Sequence, residues 1–306
     1  MGSTQGERPL PRCHDREAYV SKLLLWLSLL ALPSLALAQG VQLGSYKDRM
    51  FSLPQTIESR DNGAFRRVDY REGRDVNGRD EIAGRRVRSR YVSLRPRRTQ
   101  QDLTLDMPFG PVPYTIVGKQ TGASVVTIYV HGRGGDRRQG MNDYSFGGNF
   151  NRLKNLMVRN GGAHIAASMP EDPAAGVAVV EGLMDRHGGA RNVVVACGSQ
   201  AASVCAGLMN RSGAVQRLAG IVLLGGAPDS GMAQSLAARS KVPVFIGHGS
   251  RDTVYPVGRA EQVYSALRRA GVPTRMVVFE SGIHGTPIRM VDWRETMNWM
   301  LRGGRG

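Results

Sequence analysis

The sequence predicts an α/β fold, a mostly parallel, doubly wound sheet with helices on both faces. Two observations carry this. From residue 124 onward, short runs rich in Val and Ile alternate with stretches whose apolar residues recur at helical spacing. The runs are close to continuously apolar, as strands buried on both faces require. A third observation concerns chemistry: Ser199, Asp252 and His284 stand on short, glycine-containing segments just past the ends of three of these runs.

The strand runs are SVVTIYV at 124–130, AHIAASM at 163–169, NVVVAC at 192–197, GIVLLG at 220–225, VPVFIGH at 242–248 and TRMVVFE at 274–280. Between them, Asp172-Pro173 reads as an N-cap followed by Pro at the first helical position, with Val177, Val180 and Met184 on one face. Ala260, Val263, Tyr264 and Leu267 share a face before Gly271 and Pro273, which read as a helix stop. Met290, Trp293, Met297 and Met300 form a terminal apolar stripe. Only residues 227–241 separate the fourth run from the fifth, too little for a large cap domain.

The 306-residue chain is 41% hydrophobic, enough for a sizeable core. We divide it into a leader at 1–38, an Arg-rich section of strands and loops at 39–122, and the α/β core at 123–306. The leader contains the apolar stretch SKLLLWLSLLALPSLALA at 21–38, closed by Ala-Leu-Ala. It reads as a signal peptide cleaved after Ala38, and therefore as a periplasmic or extracellular protein; a membrane anchor is the competing reading. Residues 1–19 are polar and make an unusually long start for such a leader, as if translation began later.

Net charge is +16. Seven arginines and no acid lie between Arg85 and Arg98, and Arg86, Arg88 and Arg90 alternate with Val87, Ser89 and Tyr91 as on the solvent face of an edge strand spanning about 88–94. A second strand is expected at 114–117. For an exported chain nucleic acid is a poor partner for this charge, and an anionic membrane face is the better one. Cys13 leaves with the leader. Cys197 and Cys205, eight residues apart across a strand-to-helix turn, are expected as buried free thiols.

The run VVVACGSQAAS reads as strand, sharp turn and helix with Ser199 at the turn. Such a turn needs small residues two before and two after the nucleophile, positions held by Cys197 and Ala201. The loop His131-Gly132-Arg133-Gly134-Gly135 follows a strand and is suited to supply a backbone N–H to an oxyanion, so Arg133 and Gln200 are assigned as the two donors. His131 is read as positioning this loop. Asp252 follows the strand at 242–248 and is the candidate acid, with Asp229 as its rival; His284, on the Gly-flanked loop after the last strand, is the candidate base. His164 and His248 are read as structural, and His187 as a helix-end cap for carbonyls. Tyr144, Phe146 and Phe150 line an acyl pocket or cover the core.

At CGSQA, HGSRDTVYP and SGIHG, in that order, the chain resembles the α/β-hydrolase superfamily, and most of all its capless carboxylesterases, lysophospholipases and acyl-protein thioesterases. The resemblance covers about residues 124–306. It departs from the common elbow at Cys197 and Ala201, where glycine is usual. It implies the α/β-hydrolase fold without a large cap, and an enzyme that cleaves small-molecule or lipid esters through an acyl-Ser199 intermediate with no metal or organic cofactor. Serine peptidase and thioesterase are the alternatives within enzymes, and a non-catalytic protein of the same fold that binds anionic surfaces is the alternative outside them.

Overall fold

The computed structural model describes residues 1, 2, 6, 41–188, 192–226 and 228–304. The leader, with Cys13 and the cleavage site after Ala38, lies outside them. Among the described residues no helix is long and apolar enough to cross a membrane.

Twelve strands form in chain order: β1 (Thr56–Arg60), β2 (Phe65–Val68), β3 (Asp80–Ile82), β4 (Arg86–Val87), β5 (Gln101–Met107), β6 (Gly110–Gly118), β7 (Val126–Val130), β8 (Ala163–Ala167), β9 (Val193–Gly198), β10 (Leu218–Leu224), β11 (Val244–Gly249) and β12 (Thr274–Phe279). The helices are α1 (Asp48–Phe51), α2 (Arg137–Gly140), α3 (Asn149–Arg159), α4 (Pro173–His187), α5 (Ala202–Leu208), α6 (Ser212–Val215), α7 (Leu236–Arg239), α8 (Val257–Arg269), α9 (Thr286–Met290) and α10 (Trp293–Leu301). Ten strands make one sheet in the order β1-β2-β12-β11-β10-β9-β7-β8-β6-β5, and β3-β4 make a separate pair. From β2 to β8 every neighbour is parallel; β1 and the β6-β5 hairpin close the two edges antiparallel.

All six predicted runs are strands of the parallel centre. Every residue of β7, β8, β9 and β11 is buried, which explains their largely apolar character; Thr127, His164 and His248 are the polar exceptions, and each is hydrogen-bonded. One core cluster fills the side of the sheet covered by α4, α5 and α8, and a second fills the side covered by α3 and α10. The Asp172 side chain accepts from Ala175 N and caps α4 as read from sequence. The terminal stripe is buried as expected, but on two helices rather than one. The chain breaks after Met290 and restarts at Asp292, whose carboxylate accepts from Glu295 N.

The section at 39–122 forms no layer of its own. Its strands flank the core on both edges: β2 pairs with β12, and β6 pairs with β8. Buried charges fasten it further, since Arg152 on α3 holds Asp48 at 3.0 Å and Asp292 at 3.1 Å. The strand expected at 88–94 is not formed. β4 ends at Val87, and 3₁₀ turns follow at Ser89–Tyr91 and Arg95–Thr99, the second started by Pro96, which fixes φ and lacks an N–H for a ladder. The arginines of this stretch are exposed; Arg86 pairs with Glu81 and lies over the Tyr144 ring, and Arg97 pairs with Asp143.

Between β10 and β11 stand only a 3₁₀ turn (Ser230–Gln234) and α7, and no large cap covers the C-terminal edge of the sheet. That edge carries the candidate site, as in other open α/β sheets.

Candidate active site

The site is assembled from four loops at the C-terminal ends of β7, β9, β11 and β12. β9 ends at Gly198, and the chain turns into α5 through a 3₁₀ turn at Ser199–Ala201. Ser199 adopts φ 55°, a left-handed conformation that costs a non-glycine residue on the order of 1–3 kcal/mol. The surroundings enforce it. A Cβ on Gly226 would strike the Ser199 carbonyl and Ala202, and one on Gly132 would lie 2.9 Å from Ser199 Cβ. Neighbouring strands thus present bare backbone to the turn, and the Ser199 side chain is raised, half-buried, above the sheet.

Cys197 and Cys205 are joined in a disulfide, which corrects the expectation of free thiols. The reason is the tightness of the turn. It folds α5 back against the end of β9, bringing the two Cα atoms to 6.2 Å, inside the range a disulfide spans. Both residues are fully buried. Spacing alone suggested a longer separation, because eight residues usually run further than a strand doubling directly into a helix.

Ser199 Oγ lies 2.8 Å from His284 Nε2, and His284 Nδ1 lies 2.8 Å from Asp252 Oδ2. The other oxygen, Asp252 Oδ1, accepts from Val254 N at 2.8 Å and Tyr255 N at 2.9 Å, so the buried carboxylate is saturated and fixed in direction. An acceptor on its Nδ1 side makes His284 carry its proton there, leaving Nε2 to accept from the serine hydroxyl. Asp229 is not in this chain. It is exposed and accepts from Gly231 N as the cap of the 3₁₀ turn.

The other described histidines have structural partners. His248 is fully buried, donates from Nε2 to Tyr255 O at 2.7 Å and stands 3.4 Å from Asp252 Oδ2. Burial pushes its pKa down, so it sits neutral behind the acid. His164 accepts from the Thr127 hydroxyl at Nδ1 and donates from Nε2 to Gly140 O, and burial lowers its pKa to about 4. His187 does bond a carbonyl, but that of Gln120 rather than of its own helix, and its other nitrogen meets the Tyr114 hydroxyl.

The loop after β7 is held by His131. Its Nε2 accepts from Met169 N at 2.9 Å, which places the ring proton on Nδ1, and Nδ1 donates to Gly132 O at 2.8 Å. Gly135 N donates to the same carbonyl at 3.2 Å. In a trans peptide the C=O and the following N–H point in opposite directions, so anchoring Gly132 O turns the Arg133 N–H away from the loop's own interior. The N–H of Gln200 belongs to the first turn after β9, too early to have an intrahelical acceptor.

Beside Ser199 opens a cleft of about 520 Å³, walled by Gly132 and Gln200 and lined with Val130, Met169, Pro173 and Val204. The three aromatic residues offered as acyl-pocket lining are elsewhere. Phe150 is fully buried in the second core cluster with Phe146 edge-on at 5.5 Å, and Tyr144 packs in a small cluster with Phe51, Val87 and Tyr91. Sequence reasoning missed the lining residues of the 168–173 loop, which carry no motif. Among the described residues no group of three or more His, Cys, Asp and Glu could hold a metal ion.

The sheet order, the strained serine turn and the position of the acid and base after β11 and β12 define the α/β-hydrolase fold, without a large cap. Comparison with one solved structure agrees on the fold. A thermostable esterase of known structure superposes with a TM-score of 0.54 at 16% identity, over 67% of this chain; the chain spans 63% of that esterase's length. The Pyrococcus furiosus esterase Pf2001 gives a TM-score of 0.49 at 14% identity, covering 69% of this chain and 94% of that one. In sequence, 65 residues, 20% of the chain, are 38% identical to the non-reducing polyketide synthase ausA of Aspergillus calidoustus, of which they span 3%. No protein-family model matches.

Proposed function

We propose that the protein is a serine hydrolase that cleaves carboxylic esters through an acyl-Ser199 intermediate. The observation that carries this reading is the unbroken hydrogen-bond chain Ser199–His284–Asp252, built on a turn held in a left-handed conformation. In the first half-reaction Ser199 Oγ attacks the ester carbonyl carbon while His284 Nε2 takes the hydroxyl proton. The charge that develops on the carbonyl oxygen is met by the backbone N–H groups of Arg133 and Gln200, the second at the start of a helical turn whose dipole favours negative charge. His284 then gives its proton to the leaving alkoxide as the C–O bond breaks. A water follows the same course to release the acid and restore Ser199. Asp252 holds the imidazole in the required tautomer and stabilises the imidazolium formed in each half.

Val130, Met169, Pro173 and Val204 give the cleft an apolar side that suits an acyl chain, beside the polar Arg133, Glu171, Gln200 and Ser203, and we place short acyl esters and lysophospholipids ahead of thioesters as substrates. Export follows from the leader, and the buried Cys197–Cys205 disulfide fits an oxidising compartment. The test is turnover of p-nitrophenyl esters of graded chain length by protein beginning at Gln39, beside fluorophosphonate labelling. Hydrolysis together with labelling at Ser199 is expected. A folded protein that turns over no ester and takes no label at Ser199 is not this enzyme.

A further inference from the structure

Three arginines follow β7, Arg133 on its loop and Arg137 and Arg138 at the start of α2, and the last two are neutralised: Arg138 pairs with Asp136, and Arg137 lies 3.5 Å from Asp102. Arg133 differs. Among the described residues no carboxylate lies within ion-pair distance of it, although its side chain lines the cleft beside Ser199. Its Nε donates instead to the side-chain oxygen of Gln200 at 3.0 Å. Glu171 lines the same cleft without pairing with it.

A neutral amide holding a guanidinium has a physical consequence. It removes conformational freedom from a long side chain and occupies one N–H, but leaves the positive charge and both Nη groups unspent. A glutamate at position 200 would hold the group equally well and cancel its charge. The arrangement is therefore a preorganised cation at the wall of the cleft, tied to the residue that follows Ser199.

Resting on the esterase reading, we propose that the Arg133 guanidinium is a specificity determinant that recognises a carboxylate or similar anionic group on the ester substrate, with Gln200 as its tether. An anion near the reacting ester accepts from the Nη groups, while the backbone N–H of the same residue faces the oxyanion. One residue would then read the substrate with its side chain and stabilise the reaction with its main chain.

The test compares matched ester pairs. p-Nitrophenyl pentanoate and mono-p-nitrophenyl glutarate differ by a carboxylate on the acyl side; phenyl acetate and para-acetoxybenzoate differ by one on the leaving group. In at least one pair kcat/KM for the anionic member should exceed that for the neutral one by about three- to tenfold, the range expected of a charge-assisted contact at a partly exposed site. Arg133→Met and Gln200→Glu should each remove the preference, Arg133→Lys should keep part of it, and Glu171→Gln should raise it. Binding of the uncleaved esters to Ser199→Ala protein should show the same ranking. Wild-type protein that cleaves none of the four esters overturns the esterase reading. Equal binding within both pairs by Ser199→Ala, or a preference that survives Arg133→Met, overturns the role of Arg133.

Discussion

Cys197 and Cys205 are covalently joined across the turn that carries Ser199, so Ser199 sits inside a closed loop formed by the end of β9 and the start of α5. Closing a loop of this size restricts the unfolded chain by about 2.5 kcal/mol at 25 °C on the chain-entropy account. The double variant Cys197→Ala, Cys205→Ala should lose stability of that order in a urea melt. Both cysteines are fully buried, so a mild reductant should leave native activity intact until the protein is partly unfolded. Equal midpoints for the variant and the wild type would count against a stabilising role.

Asp252, not Asp229, bonds His284. Ser199→Ala should lower kcat by roughly 10⁴- to 10⁶-fold with the fold retained, because the members of such a set act as a unit. Asp252→Asn should cost less than Ser199→Ala, and Asp229→Asn, which keeps a cap acceptor at the surface, should leave kcat within about twofold. Steady-state kinetics on one ester check all three, and a damaging Asp229→Asn would reverse the assignment.

His131 touches no reacting atom in this arrangement, but it anchors the carbonyl whose peptide carries the Arg133 N–H. Loss of a complete oxyanion donor costs about 10²- to 10³-fold in kcat. His131→Leu, which lets that peptide rotate, should lower kcat by about tenfold or more with KM little changed. Asparagine, able to bond the same carbonyl, should recover part of the loss. A change confined to KM would mean that the loop binds substrate without aligning the peptide.

His164 should contribute to the acid sensitivity of the fold, beside His187 and His248, whose pKa values burial also lowers. It is held neutral, with a folded pKa of about 4 against about 6.5 in the unfolded chain. Between those values the unfolded state binds more protons than the folded one, so this contribution is complete above about pH 6.5 and falls away as pH drops toward 4. The loss is about 3 kcal/mol across that window. His164→Asn should be less stable at pH 7 yet show a flatter dependence of unfolding free energy on pH between 4 and 6.5. Parallel curves for the two proteins would place the acid sensitivity elsewhere.

The parallel centre was legible in the sequence because strands buried on both faces are largely apolar, and in β7 to β12 only Thr127, His164, His248, Thr274 and Arg275 interrupt the apolar and glycine residues. The edges were not. β1, with all but one residue exposed, reads Thr-Ile-Glu-Ser-Arg, and nothing in that composition separates an edge strand from a loop. Ser199, Asp252 and His284 were found through loop position and order, which the fold constrains tightly. The disulfide was missed because it depends on how far a turn doubles back, and the cleft lining because Met169 and Pro173 become neighbours of Gln200 only through the parallel register of β7 with β8 and β9. Tyr144, Phe146 and Phe150 were offered as lining because aromatic residues suit an acyl chain and a core equally well.

The long-range pairing of β2 with β12 sets an order on synthesis. Phe65 takes its place opposite Met276, and Leu43 N is bonded to the Asn298 side chain, so segments made early in the chain have no partner until its final stretch exists. The hairpin of β5 and β6 needs only β8 and can dock some fifty residues after it is made. One border of the sheet can thus be completed early in elongation, and the other only once β12 has been made, leaving the β11 edge open in the interval. A ribosome-bound intermediate halted before residue 274 would hold β2 paired with β1 but without its β12 neighbour, and that open edge is where a chaperone would have most to protect.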